Sequence, residues 1–358
     1  KRTQLYGLER NPAMPAILIW AAVAIVGTLI IWKGSGILER ASQRLAEYYR
    51  LPEIVKGAVV VAVGSSFPEL TTTVLSAALH GAFELGVAAI VGSALFNILA
   101  IPALSALAGG GLTSNRDLVY KESLFYMIAV AVLLLAFSFA VIYHPQGDSA
   151  ALTGEMTRPL ALIPLVLYFL YIFVQYQDAA DDRADTKTPD ISAAAEWGRM
   201  ALALLLIVAG VEALVRAAIE FGTLFGTPDF IWGFTIVAAG TSLPDAFVSI
   251  RAAKQGQAVT SLSNVLGSNI FDLLVCIPAG VLIAGSAPID FAVAAPLMGV
   301  LTLATIALFL TMRTDMRLGR REAGFLIAMY GVILIWFCCE SFGVVDWVPG
   351  LPPAGSAP

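Results

Sequence analysis

Two hexapeptides, Gly64-Ser65-Ser66-Phe67-Pro68-Glu69 and Gly240-Thr241-Ser242-Leu243-Pro244-Asp245, set out the same groups in the same order: glycine, two hydroxyls, an apolar residue, proline and a carboxylate. Proline has no N–H and clashes with the carbonyl four residues back in a helix. Each motif is therefore expected to break its helix and to free carbonyl oxygens around residues 62–64 and 238–240, which makes Ala62 and Ala238 candidate backbone ligands. Ser65, Ser66, Thr241 and Ser242 add hydroxyls, and Glu69 and Asp245 add carboxylates. These are hard oxygen donors, suited to calcium or sodium rather than to soft transition metals.

A second pair of segments, Gly92-Ser93-Ala94-Leu95-Phe96-Asn97 and Gly267-Ser268-Asn269-Ile270-Phe271-Asp272, supplies Ser93 with Asn97 and Ser268 with Asp272. Both pairs are spaced i, i+4, so each shares one helix face. Glu69, Asp245 and Asp272 bring up to three negative charges, which one divalent ion or two to three monovalent ions would neutralise. Such loads exclude one another on a single set of oxygens, and carboxylates held together also compete for protons. The same residues fit capping boxes at Ser66-x-x-Glu69 and Ser242-x-x-Asp245, and Gly and Ser suit close helix packing. Ionisable groups at membrane depth in two copies favour ligation, and capping and ligation are compatible.

The elements that position these groups follow from composition. Of 358 residues, 58% are hydrophobic and only 13% charged, against about a quarter charged in soluble domains; lipid must solvate much of this chain. Ten spans of about 20 residues or more are predicted, near 13–35, 53–79, 83–108, 121–143, 159–177, 198–221, 230–253, 258–284, 288–312 and 322–343, in an all-α integral membrane fold. Lys33, Arg40, Arg44, Arg251, Lys254, Arg313 and most other basic residues fall on the odd-numbered loops. Those loops are then cytoplasmic and both termini outside, in a cell (inner) membrane. The acidic stretch 178–197, with Asp181, Asp182, Asp185 and Asp190, reads as a cytoplasmic linker in preference to a regulatory calcium site. The start, Lys1-Arg2-Thr3, reads as a processed N-terminus rather than a signal peptide.

Cys276, Cys338 and Cys339 lack metal-ligand spacing and read as small core residues. Glu84, Asp290 and Glu340 are expected at the interface, Glu212 and Glu220 as an ion-pair face around Arg216, and His80 and His144 without a metal role. There is no P-loop pattern. No enzymatic activity, cofactor or nucleic-acid partner is expected.

The two hexapeptides share one offset, 176, with Leu51-Pro52-Glu53 and Thr227-Pro228-Asp229, whereas the second pair of segments is offset by 175. One extra residue therefore belongs to the first copy, near Leu79-His80-Gly81. Five spans, an odd number, separate the copies, so the second copy lies inverted relative to the first, as in many secondary transporters. The halves are 1–177 and 198–358.

These motifs resemble the alpha repeats of the calcium/cation antiporter superfamily, in the pattern of its sodium/calcium exchangers. Asp245 and Ala94 are similar to the potassium-dependent members. The resemblance implies an antiporter with calcium, sodium and, in the potassium-dependent branch, potassium as transported ions. It implies a calcium site centred on Glu69 and Asp245, a central cluster completed by Asn97 and Asp272, and sodium sites that use Ser66, Ser93, Ser242 and Ser268. It also implies that the first and sixth spans slide across the others. A proton-coupled cation exchanger and a cation channel are the alternatives.

Overall fold

The computed structural model describes residues 13–49, 62–116, 118–147, 152–178 and 192–348. Helices dominate: α1 (Ala13–Tyr48), α2 (Ala62–Ser65), α3 (Phe67–Ala78), α4 (Phe83–Gly109), α5 (Leu118–Tyr143), α6 (Arg158–Asp178), α7 (Ala193–Phe225), α8 (Asp229–Lys254), α9 (Ala258–Ala284), α10 (Phe291–Arg313) and α11 (Arg320–Ser341). Nine helices among the described residues are long and apolar enough to cross a membrane, and they coincide with nine of the ten predicted spans. The remaining one, 53–79, is described only from residue 62 onward, as α2 and α3. Most of the acidic stretch 178–197, with its four aspartates, lies outside the described residues. Its end does not: α7 starts at Ala193, where the Ser192 hydroxyl accepts from the Ala195 N–H and three alanines favour helix.

Two short ribbons tie distant parts of the chain together. After α4, β1 (Leu112–Thr113) pairs antiparallel with β4 (Arg317–Leu318), which precedes α11. After α9, β3 (Ser286–Asp290) pairs antiparallel with β2 (Thr153–Thr157), which precedes α6; Thr153 lies opposite Asp290 and Thr157 opposite Ser286. Gly81 and Gly256 make equivalent left-handed turns after α3 and α8, with φ of 62° and 76°. Only glycine adopts such φ without strain. Their separation is the shorter offset, so the extra residue of the first copy falls just before Gly81.

Buried apolar side chains form two main bodies. One is built by α1 and α7, with Ile31, Leu38, Ile207, Val211 and Leu214 inside it. The other gathers the buried faces of α4, α5, α9, α10 and α11. The α1–α7 crossing is close because a Cβ on Gly27 would stand 2.9 Å from the Gly210 carbonyl oxygen, and one on Gly210 would stand 2.8 Å from that of Gly27. Small residues let helix backbones approach in this way.

The two prolines act differently, which corrects the expectation of two broken helices. In the first copy the chain bends at Ser66 between α2 and α3, and Pro68 sits in the first turn of α3, where a missing N–H costs little. In the second copy α8 runs unbroken through Pro244. A π-helical turn, Gly233–Val237, lies upstream, and the Thr241 hydroxyl donates to the carbonyls of Val237 (3.1 Å) and Ala238 (3.3 Å). A wide turn and a hydroxyl together re-satisfy backbone groups disturbed by a membrane-helix proline. Neither capping box forms: Ser66 makes no side-chain cap bond, and Ser242 lies inside a continuous helix.

Candidate functional site

The four motif segments meet at the centre of the bundle. The first hexapeptide spans the end of α2, the bend at Ser66 and the start of α3, α8 carries the second, and α4 and α9 carry the second pair of segments. α4 and α9 widen into π-helical turns at Phe96–Ala100 and Asp272–Cys276, each followed by an Ile-Pro pair, Ile101-Pro102 and Ile277-Pro278. Proline cannot donate to the carbonyl four residues back, and a π turn absorbs the missing bond. Asn97 is the second residue of its π turn and Asp272 the first of its own.

Contacts run between copies. Ser65 Oγ lies 3.2 Å from Ser268 Oγ, and Ser93 Oγ lies 2.6 Å from Ser242 Oγ. Thr241 stands beside the Glu69 carboxylate, within Coulombic reach of which lie Asp272 and Asp245. Ser268, Asn264 and Asn97 stand beside Asp245, and Ser66 and Cys276 beside Asp272. Cys276 Sγ is 3.6 Å from Asp272 Oδ1. Glu69 and Asp245 are each 1% exposed, and Asn97 and Asp272 not at all. Among the described residues, both carboxylate oxygens of Glu69 and of Asp245, Oδ2 of Asp272, Oδ1 of Asn97 and Oγ of Ser66 have no hydrogen-bond partner. Buried polar atoms are nearly always paired, and unpaired charge is the costliest case.

Ten of the twelve expected ligands thus belong to one buried region: Ser65, Ser66, Glu69, Ser93, Asn97, Thr241, Ser242, Asp245, Ser268 and Asp272. The two backbone candidates differ from them. Ala238 is buried, but its carbonyl already accepts from Thr241, and Ala62 stands at the first described residue of its segment. Among the described residues no three carboxylate, thiol or imidazole groups gather tightly enough to hold a metal by themselves. Any cation here is shared with hydroxyls and amides, as hard cations accept.

Sequence reasoning missed Asn269. It is fully buried, accepts from Asn97 Nδ2 (3.0 Å) and donates to the Ala94 carbonyl (3.1 Å) and to Tyr126 Oη (3.5 Å). In the repeat Asn269 is the counterpart of Ala94, and a polar residue matched with alanine at membrane depth was the available signal. Asn269 fixes the Asn97 amide so that Oδ1 is left for other partners. Removing it strands Asn97 Nδ2 at a cost of about 1–3 kcal/mol. Asn269→Ala is thus expected to destabilise the protein by about this amount, as measured by thermal unfolding in detergent.

Among the other charged groups, Arg216 pairs with Glu212 (2.6 Å) and forms no pair with Glu220. His80 Nε2 meets Glu212 Oε2 at 3.0 Å, joining the turn after α3 to α7. Asp290 caps α10 through the Ala292 N–H. Glu340 lies at the end of α11 and is fully buried within the protein; its Oε1 accepts from the N–H groups of Trp347 and Val348, stapling the following segment onto α11.

Comparison with known proteins matches the sodium/calcium exchanger protein family over residues 19–177 and 196–339. The sodium/calcium exchanger MaX1 of Methanosarcina acetivorans is 25% identical over 70% of this chain and 79% of its own length. Human sodium/potassium/calcium exchanger 4 is 50% identical, over 15% of this chain and 9% of its own length. The solved sodium-calcium exchanger NCX_Mj, soaked with sodium and strontium, superimposes with a TM-score of 0.62 at 24% identity, covering 89% of this chain and 98% of the other.

Proposed function

The chain belongs to the sodium/calcium exchanger protein family, and from that premise we propose that it is a secondary antiporter that exchanges sodium for calcium by alternating access. The observation that carries the reading is the set of buried, unpartnered oxygens on Glu69, Asp245, Asp272, Asn97 and Ser66. Carboxylates in a low-dielectric interior demand counter-charge, and hard oxygens of mixed type favour calcium or sodium. Calcium is best served by Glu69 and Asp245, with Asn97 and Asp272 beside them. Sodium ions use the hydroxyls of Ser65, Ser66, Ser93, Thr241, Ser242 and Ser268 with the same carboxylates. Sodium and calcium loads therefore exclude each other.

The architecture in this reading is ten spans in two inverted halves, 1–177 and 198–358, joined by a cytoplasmic linker, with both termini outside an inner membrane. The ribbons support the inversion. β1 follows the third span and pairs with the strand before the tenth; β3 follows the eighth and pairs with the strand before the fifth. That is one connection repeated under exchange of halves. Potassium assistance is part of the proposal, supported by Asp245 and Ala94 and by the local likeness to human sodium/potassium/calcium exchanger 4.

Purified protein in sodium-loaded proteoliposomes, diluted into sodium-free buffer, is expected to take up calcium-45, and more so with external potassium. Uptake that ignores internal sodium and follows an imposed pH gradient would replace the proposal with proton coupling. Currents far faster than a transport cycle would replace it with a channel.

A further inference from the structure

A cavity of about 600 Å³ reaches the central region from one end of the bundle. Ser65 and Asp245, both buried, form its floor; Lys33, Arg40 and Arg251, all exposed, stand at its mouth. A cation moving to Asp245 must therefore pass three positive side chains. A cleft lined by one sign of charge focuses that field and slows ions of the same sign. Among the described residues, the one carboxylate besides Asp245 that lines this cavity is Glu39, half-buried on α1.

Glu39 is held in place yet left uncommitted. Its backbone carbonyl accepts from Ser42 Oγ, and its Oε1 accepts a long bond from Gln43 Nε2 at 3.3 Å. Among the described residues it makes no ion pair, although Arg40 adjoins it and Arg251 shares the cavity. It also lies within electrostatic reach of Asp245. A carboxylate committed to neither arginine is available to a passing cation.

We infer that Glu39 is a relay carboxylate that receives the cation inside the Lys33–Arg40–Arg251 mouth and passes it to Asp245, setting the rate of loading from that face. The inference rests on the exchanger reading for the identity of the ion, but not for its test. Glu39 sits outside the four motif segments, so its role is in the rate of arrival rather than in the rate of departure from the final site.

Terbium binding to the purified full chain separates the two. Trp32 lines the same cavity, its ring 5.0 Å from that of Phe247, and sensitises the luminescence of a nearby lanthanide. In stopped flow at low ionic strength, Glu39→Gln is expected to slow terbium association about tenfold and to leave dissociation unchanged. The difference should shrink in high salt, and Glu39→Asp should restore most of the rate. Unchanged association in Glu39→Gln overturns the inference, as does an equal acceleration of dissociation, which would make Glu39 a ligand of the final site. Absence of terbium binding to the wild type overturns it as well. Loss of sodium-dependent calcium uptake by the wild type, with terbium kinetics as expected, defeats the exchanger reading and leaves Glu39 in its role.

Discussion

Calcium-45 uptake by Glu69→Gln is expected to fall at least about 100-fold, equivalent to roughly 3 kcal/mol, while the variant folds and inserts normally. The carboxylate is 1% exposed and neither of its oxygens has a hydrogen-bond partner among the described residues. In the ion-free protein it is a pure cost, because a buried unpaired charge destabilises. The neutral amide removes that cost and with it the counter-charge for the ion. Two opposite shifts should therefore appear together. Ion-free Glu69→Gln should melt at or above the wild-type temperature, and the rise in melting temperature that saturating calcium gives the wild type, corresponding to about 2.7 kcal/mol at 100 times Kd, should vanish. Asp245→Asn should behave alike. A variant that still carries calcium, or that loses flux only because it unfolds, would remove Glu69 from the site.

The second large effect separates two glycines that sequence comparison treats as equals. Gly92 and Gly267 open the same motif in the two copies. A Cβ on Gly92 would collide with the Phe234 carbonyl oxygen and stand 2.8 Å from the Ala238 Cβ, whereas a Cβ on Gly267 meets nothing within 4 Å among the described residues. The obstacle at Gly92 is backbone, which cannot rotate away. Gly92→Ala should cost about 1–3 kcal/mol or more and push α4 off the π-helical turn of α8. Gly267→Ala should be neutral, or stabilising by up to about 1 kcal/mol through helix propensity. Thermal unfolding of both variants in the same detergent checks the contrast; equal melting temperatures would contradict the close approach.

Much of the fold was legible because two strong signals coincide. Lipid-length apolar runs marked the spans, and the repeated hexapeptides marked which spans meet. The ten side chains brought into one buried region were readable from type and spacing alone. The response of the second helix was not readable, because the effect of Pro244 depends on a π turn four residues upstream of Thr241 and on where the Thr241 hydroxyl points. Asn269 escaped for a related reason: its partners, Asn97, Ala94 and Tyr126, are far away in sequence. The burial of Glu340 was not readable either, because its position near a helix end says nothing of the segment that folds back over it.

The crossed ribbons set an order of manufacture. Leu112 finds its partner only when Leu318 has been made, and Thr153 only when Asp290 has. A nascent chain released after its first half therefore carries two unpaired strand edges at the lipid–water boundary. Exposed edges of this kind recruit other strands, and the matching ones, β3 and β4, both belong to the second half of the chain. Because one chain carries both halves, their meeting needs no diffusion between molecules and becomes the last event of a single synthesis.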